Sequence, residues 1–320
     1  MPGAPALPCP YPMTPDRRQR LARLLLWLTP LVWSSNYVIA RAADGVIAPH
    51  ALALGRWSLA FVLMLPLAWR GLRADGMAWR QEWRQLLVLG GLGMWVCGAF
   101  VYIGGQTTAA VNIGLIYATT PIVIAVVSAR VLHERMTGAQ WFGVGLAAAG
   151  VLFVVARGQP LHLARVDWVV GDLWILAAAL AWCAYSVMLR LWPSRLGPAA
   201  RLVAITGGGL LVMLPFTLLE WWLMPRLPLT WAAAGLVLAA AVLPGVLAYQ
   251  AYSFMQREMG ASRASLVVYL SPVYAAFSAW ALLGEPPRWF HAVGAALILP
   301  SIWFSTRAGG VPAAAAPRPR

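Results

Sequence analysis

The sequence predicts an all-α membrane protein, with ten transmembrane helices arranged as two inverted five-helix repeats. Three observations predict it. Of the 320 residues, 61% are hydrophobic and only 11% are charged, where an average globular domain carries roughly 25% charged residues. Apolar runs long enough to cross a bilayer recur ten times along the chain. The second half also repeats the first at an offset of about 150 residues.

A spanning helix takes about 20 residues, so ten of them account for the apolar share of the chain. The first run, at about 24–42, follows Arg17, Arg18, Arg20 and Arg23. Its Ala40-Arg41-Ala42 triplet imitates a signal-peptidase site, but the run has an internal copy and is expected to stay as a helix. Further spans are expected at about 50–69, 86–105, 108–129 and 138–156. The second half offers about 171–189, 202–223, 232–253, 262–283 and 289–306. The organisation expected is a cytoplasmic tail over 1–21, a first repeat over 22–157, an outside linker over 158–170, a second repeat over 171–306 and a cytoplasmic tail over 307–320.

The formal charge of +14 comes from 24 basic residues, all of them Arg. With the N-terminus placed in the cytoplasm, eighteen Arg fall at inside ends and loops and five outside, namely Arg41, Arg157, Arg165, Arg226 and Arg288. Arg56 alone falls within a span. This bias obeys the positive-inside rule, and losing one span would scramble it. The expectation is therefore a multi-pass protein of a bacterial-type inner membrane with both termini cytoplasmic. A basic chain also raises nucleic acid as a partner, but no soluble domain is present to offer a basic face. Trp69, Trp79, Trp83, Trp168, Trp192, Trp221, Trp222, Trp231 and Trp289 sit near predicted ends, where indole anchors at the interface. Cys9, Cys97 and Cys183 are widely spaced, so neither a disulfide framework nor a metal site is expected. No cofactor is expected.

The repeat is collinear. Leu31, Trp33, Val38 and Arg41 match Leu180, Trp182, Val187 and Arg190 at a shift of 149, and Met64-Leu65-Pro66 matches Met213-Leu214-Pro215. At a shift of 151, Leu115, Pro121, Leu132, Glu134 and Gly143 match Leu266, Pro272, Leu283, Glu285 and Gly294. Five spans per copy is odd, so the copies cross the membrane in opposite senses. Such an inverted repeat implies alternating access around a site near the midplane.

Several strings point to a known family: WSSNYVIAR in the first span, LGRWSLAFVLMLP in the second, NIGLIYATTPIVIAVVSARVLHERMTGAQWFGVGLAAAGVLF in the fourth and fifth, and SLVVYLSPVYAAFSAWALLGEPPRWFHAVGAALILP in the ninth and tenth. Over about residues 22–306 the chain resembles the drug/metabolite transporter superfamily in its ten-helix EamA-type branch, and among its members it resembles amino-acid exporters of the YddG type. It departs from the family pattern at Ser34, where Gly is common, and at the GEPPR string. The resemblance implies a cavity bounded by spans one, three, four, six, eight and nine.

Within that frame, Pro121 and Pro272 fall mid-span and free the carbonyls of Tyr117 and Val268, since proline cannot donate to the residue four earlier. They read as hinges, with the freed carbonyls either open to a substrate ammonium or satisfied by Thr120 and Ser271. Trp33 with Asn36, and Trp182 with Tyr185, occupy matched positions on one face of spans one and six. Trp95, Tyr102, Tyr249 and Tyr252 add candidate aromatic lining, against the alternative that each packs between helices. Arg56 lies about 9 Å inside its span and reads as a structural charge, with attraction of a carboxylate as the other reading. Glu134 and Glu285 read as connectors or helix N-terminal partners. Gly143, Ala147, Gly150, Gly294 and Ala295 permit close helix approach, within one chain or across a dimer, with the monomer favoured.

No Asp or Glu falls at mid-span, and His50, His133, His162 and His291 all fall at ends or in loops. A carrier without obligatory proton coupling is therefore expected. An enzyme is excluded, because Ser34, Ser35, Ser253 and Ser271 have no mid-span base to activate them. The function expected is an alternating-access exporter of small zwitterionic metabolites, amino acids first. The alternatives are a multidrug or purine-type exporter, an anionic nucleotide-sugar or triose-phosphate exchanger, and a channel.

Overall fold

The computed structural model describes residues 14–74, 78–131, 137–159, 169–224, 227–228, 230–259 and 267–307. These form ten long helical segments. The first half contains α1 (Pro15–Ala42), α2 (Pro49–Ala74), α3 (Trp83–Gly105), α4 (Ala110–Ala118 continued by Thr120–Val131) and α5 (Gly138–Val155). The second contains α6 (Val170–Leu191), α7 (Pro198–Leu223), α8 (Trp231–Ala240 continued through Ala241–Leu247 to Ala248–Met259), α9 (Val267–Leu283) and α10 (Trp289–Arg307). A four-residue helix, Ala78–Gln81, precedes α3. Five of the ten, α2, α3, α6, α7 and α8, are each long and apolar enough to cross a membrane, and α4, α5, α9 and α10 contain shorter apolar stretches.

Helix starts follow from local chemistry. Proline occupies the first turn of α1 and of α7, where its missing N–H costs nothing. Thr230 caps α8 by accepting from the Ala233 N–H at 3.1 Å. The start of α2 is capped across the bundle: the carboxylate of Glu220 on α7 accepts from the N–H groups of His50 and Ala51 at 3.0 to 3.2 Å. A buried helix end needs such partners for its orphan donors.

The two halves interlock. α1 packs on α8 and α9, while its counterpart α6 packs on α3 and α4; α2 pairs with α7, and α5 with α10. Each helix thus finds its main partners in the opposite repeat, the pattern a pseudo-two-fold axis produces. Small residues make the tightest crossings. A Cβ on Gly90 of α3 would lie 2.2 Å from the backbone nitrogen of Gly209 on α7, and one on Gly294 of α10 would lie 2.2 Å from Val154 of α5. The small-residue stripe on α5 and α10 therefore serves contact within the chain.

The outer surface carries large apolar side chains, among them Leu67, Trp222, Trp231 and Leu282. An apolar surface this wide suits hydrocarbon and not water. One feature was not legible in the sequence: α3 and α8 both widen into π-helix, at Gly91–Val96 and Ala241–Leu247. These segments occupy equivalent positions of the two repeats, so the pseudo-symmetry extends to an irregularity of the backbone.

Candidate functional site

The two repeats meet around a cavity of about 770 Å³ of atom-free space, its mouth included. From the first repeat come Trp33, Asn36 and Tyr37 of α1, Arg56 and Trp57 of α2, Cys97 of α3, and Tyr117 and Thr120 of α4. From the second come Trp182 of α6 and Pro244 and Tyr249 of α8. Both π segments reach the wall, through Gly93 and Pro244, as π-bulges frequently do at functional sites.

Rings dominate the wall. Trp33 lies edge-on to Tyr249 with centroids 6.0 Å apart, and Trp57 meets the same ring at 6.2 Å. On the opposite side Tyr37 lies 5.9 Å from Tyr117, whose hydroxyl is 3.3 Å from the Cys97 sulfur. Glycines make room for this lining: a Cβ on Gly98 would lie 2.9 Å from the Trp57 indole nitrogen, and one on Gly93 would lie 2.9 Å from the Tyr185 ring. Aromatic faces of this kind accept a cation through the ring quadrupole.

Among the described residues, Arg56 is the only charged group in the wall. It is 5% exposed. Its Nη1 donates to Asn36 Oδ1 at 3.0 Å and to the Tyr102 hydroxyl at 3.1 Å, while Tyr102 donates to Asn36 Oδ1 at 2.9 Å. The guanidinium carbon lies 4.5 Å from the Trp57 ring centroid.

One end of the bundle is sealed by polar contacts between the repeats. Arg41, at the end of α1, pairs with Glu285 after α9 at 3.0 Å and donates to the carbonyl of Gln106 at 2.9 Å. The other oxygen of Glu285 accepts from the Ala110 N–H at the start of α4 at 3.2 Å. Gly284, with φ of +67°, turns the chain out of α9 so that Glu285 reaches both partners, a backbone conformation that favours glycine. Beside this pair, Asp172 of α6 accepts from Thr108 and from Asn112, and Asn112 in turn bonds His291 of α10 at 2.9 Å. The backbones of α3 and α6 touch here: a Cβ on Gly171 would lie 2.4 Å from the Gly104 carbonyl oxygen.

Two five-helix halves interlock around this cavity, and comparison with known proteins gives the family. The EamA-like transporter family matches the chain twice, over residues 20–156 and 169–307. The chain belongs to the EamA-like transporter family. Relatives of this EamA-like transporter include an uncharacterized transporter of Archaeoglobus fulgidus, 25% identical over 88% of this chain and 96% of that protein. Two others have named cargo. An S-adenosylmethionine/S-adenosylhomocysteine transporter of Chlamydia trachomatis serovar L2 is 24% identical, covering 86% of each chain. A probable terminal-alkyne amino-acid exporter of Streptantibioticus cattleyicolor is 24% identical over 88% of this chain and 92% of that one. A solved crystal structure has the same fold, with a TM-score of 0.60 at 21% identity, covering 89% of this chain and 96% of that chain. The protein is thus a multi-pass membrane transporter and not an enzyme.

Of the candidate residues, the EamA-like fold brings Trp33, Asn36, Tyr117, Thr120, Trp182 and Tyr249 to the cavity wall. Others stand behind it. Tyr102 is 1% exposed and binds Arg56 and Asn36, Tyr185 stacks on Trp182 at 5.2 Å, and Tyr252 packs on Trp33 at 5.4 Å. Trp95 is not among the wall residues and is stacked on Phe216 at 3.8 Å. The carbonyl of Tyr117, freed by Pro121, accepts from the Thr120 hydroxyl at 2.7 Å, so the local alternative accounts for it.

Pro121 is the second residue of the continued half of α4 and Pro272 lies within α9; the side chains of Pro121, Ser271 and Pro272, and the whole of Glu134, fall outside the described residues. Glu285 partners the N-terminus of α4 rather than that of the helix following it.

Sequence reasoning missed Tyr37, Trp57 and Cys97. Tyr37 follows Trp33 by four residues, one turn of the same face, and Trp57 adjoins Arg56, so both carried a signal. It also assigned no role to Asp172, a buried acid in the first turn of α6.

Proposed function

We propose that this transporter is an alternating-access carrier exporting small zwitterionic metabolites, amino acids first. The observation that carries the reading is the cavity itself: aromatic rings from both repeats around a single cation, with no carboxylate in the wall among the described residues. A zwitterion suits such a surface, its ammonium over ring faces and its anionic group near the guanidinium. Two relatives support the same chemistry, since an amino acid and S-adenosylmethionine both carry an α-amino acid group. A phosphorylated cargo is less well served, because a dianion calls for more than one cation.

Export is read from the resemblance, with both termini cytoplasmic and the sealed end outside, as the Arg distribution prescribes. The carrier is facilitated, without obligatory proton coupling, and acts as a monomer.

The test is counterflow into proteoliposomes of the purified protein, using a panel of aromatic and aliphatic L-amino acids, S-adenosylmethionine, dipeptides, purines and organic cations. Saturable exchange of an amino-acid-bearing compound is expected. Exchange confined to purines or organic cations, or unsaturable flux with unitary currents, would sink the reading. An imposed pH gradient is expected to leave the initial rate within about twofold; strong acceleration would remove the facilitated part of the proposal.

A further inference from the structure

Arg56 lacks the partner that an arginine inside a membrane usually has. Its side chain is buried, yet no carboxylate of the described residues comes within ion-pair distance. The two buried carboxylates are engaged elsewhere, Glu220 at the start of α2 and Asp172 with Thr108 and Asn112. A buried charge without a counter-charge is costly, and an intramembrane ionisable group is a functional hypothesis by default.

The donors of Arg56 divide into two sets. Nη1 is committed to Asn36 and Tyr102, which also bond each other. Nε is buried and has no acceptor, and no described residue accepts from Nη2. Asn36 and Tyr102 therefore hold Nη1 and leave the Nε–Nη2 edge without an acceptor, with Nε covered by neighbouring atoms until the wall shifts to admit a ligand. Two parallel N–H groups on one edge match the two oxygens of a carboxylate.

We propose that Arg56 binds the carboxylate of the transported molecule, with Asn36 and Tyr102 as its positioning residues. This rests on reading the central cavity as the carrier's substrate site and names the group that the site recognises. Arg56 is the lone cation of the wall, which suits a monoanion. The substrate carboxylate supplies the counter-charge that no described carboxylate gives Arg56.

The experiment measures binding to the purified full-length protein in nanodiscs, with four matched probes: L-phenylalanine, L-phenylalaninamide, phenethylamine and 3-phenylpropionate. The wild type is expected to bind the amino acid at least tenfold more tightly than its amide, and to bind 3-phenylpropionate more tightly than phenethylamine. Arg56→Gln is expected to erase both preferences, and Arg56→Lys to retain part of them. Asn36→Asp places a fixed anion beside Nη1 and keeps the guanidinium paired, so it is expected to fold and to lose the carboxylate preference. Tyr102→Phe is expected to weaken the two carboxylate probes several-fold while leaving phenethylamine unchanged.

Three results would overturn the proposal: no carboxylate preference in the wild type, a wild-type preference persisting in Asn36→Asp, or Tyr102→Phe weakening all four probes alike. If the counterflow panel shows saturable exchange but no carboxylate preference, the carboxylate site fails and the carrier stands. If no compound exchanges, the carrier reading itself fails.

Discussion

At the scale of single residues, the wall of the cavity separates two kinds of aromatic side chain. Trp33 and Tyr249 face the space and touch each other across the two repeats, whereas Trp95 is not among the wall residues and is stacked on Phe216. Trp33→Ala or Tyr249→Ala is therefore expected to lower exchange at least fivefold with little change in thermal stability. Trp95→Ala is expected to do the reverse, costing about 3 kcal/mol of packing while saturable exchange persists. Paired transport and thermal-melting measurements check both; equal losses of exchange in all three variants would refute the division. Cys97 supplies a natural reporter in the same wall. In a Cys9→Ser, Cys183→Ala background, a small methanethiosulfonate reagent is expected to label Cys97 and block exchange, and an exchanging compound is expected to slow the labelling. How well these residues were legible follows from geometry. A spacing of three or four within one helix announces a shared face, and so Trp33, Asn36, Trp182 and Tyr249 were found. Whether that face meets a cavity or a neighbouring ring depends on the next helix, which is why Trp95 and Tyr252 were indistinguishable from Tyr249 in the sequence.

At the scale of elements, the ten helices were legible because hydrocarbon demands long apolar runs and because Pro, Gly and Arg punctuate them. The π segments were not, since nothing local distinguishes Gly91–Val96 from an ordinary apolar turn, and the widening appears only where α3 and α8 meet the cavity. The seal was half legible. Arg41 and Glu285 each stood out through their repeat partners, but their pairing required the fold. Because Glu285 bridges Arg41 of the first repeat and the N-terminus of α4, Glu285→Gln is expected to weaken the sealed end selectively. With spin labels on Thr107→Cys and Pro287→Cys in a cysteine-free background, that variant is expected to populate a longer distance than the parent; an unchanged distribution would show that the ion pair does not hold the end shut. The glycine crossings carry stability instead. Gly90→Ala sets a methyl against the backbone of Gly209, and such overpacking costs about 1–3 kcal/mol. A lowered melting temperature is expected, and a melt matching the parent would mean that α3 and α7 part without strain.

At the scale of the whole molecule, the pseudo-symmetry joins sequence, packing and charge. The repeat offset read from the chain reappears as helices that pair with their counterparts, α2 with α7 and α5 with α10, and the family matches the chain in two blocks. An inverted repeat makes the two ends of the bundle nearly equivalent in shape, so shape alone does not orient the protein in its membrane; the arginines do. The span topology expected from the sequence puts eighteen of them at the end opposite the Arg41–Glu285 seal and five at the seal's own end. Positive charge is retained on the cytoplasmic side during insertion, so the seal is expected to face outward. Two single-cysteine variants test this: Pro287→Cys beside the seal and Pro193→Cys after α6, both at exposed positions. In spheroplasts, a membrane-impermeant maleimide is expected to label Pro287→Cys directly and Pro193→Cys only after permeabilisation. The opposite pattern would invert the molecule, turn the sealed end toward the cytoplasm and reverse the direction in which the cavity must empty, while leaving the cavity and its arginine untouched.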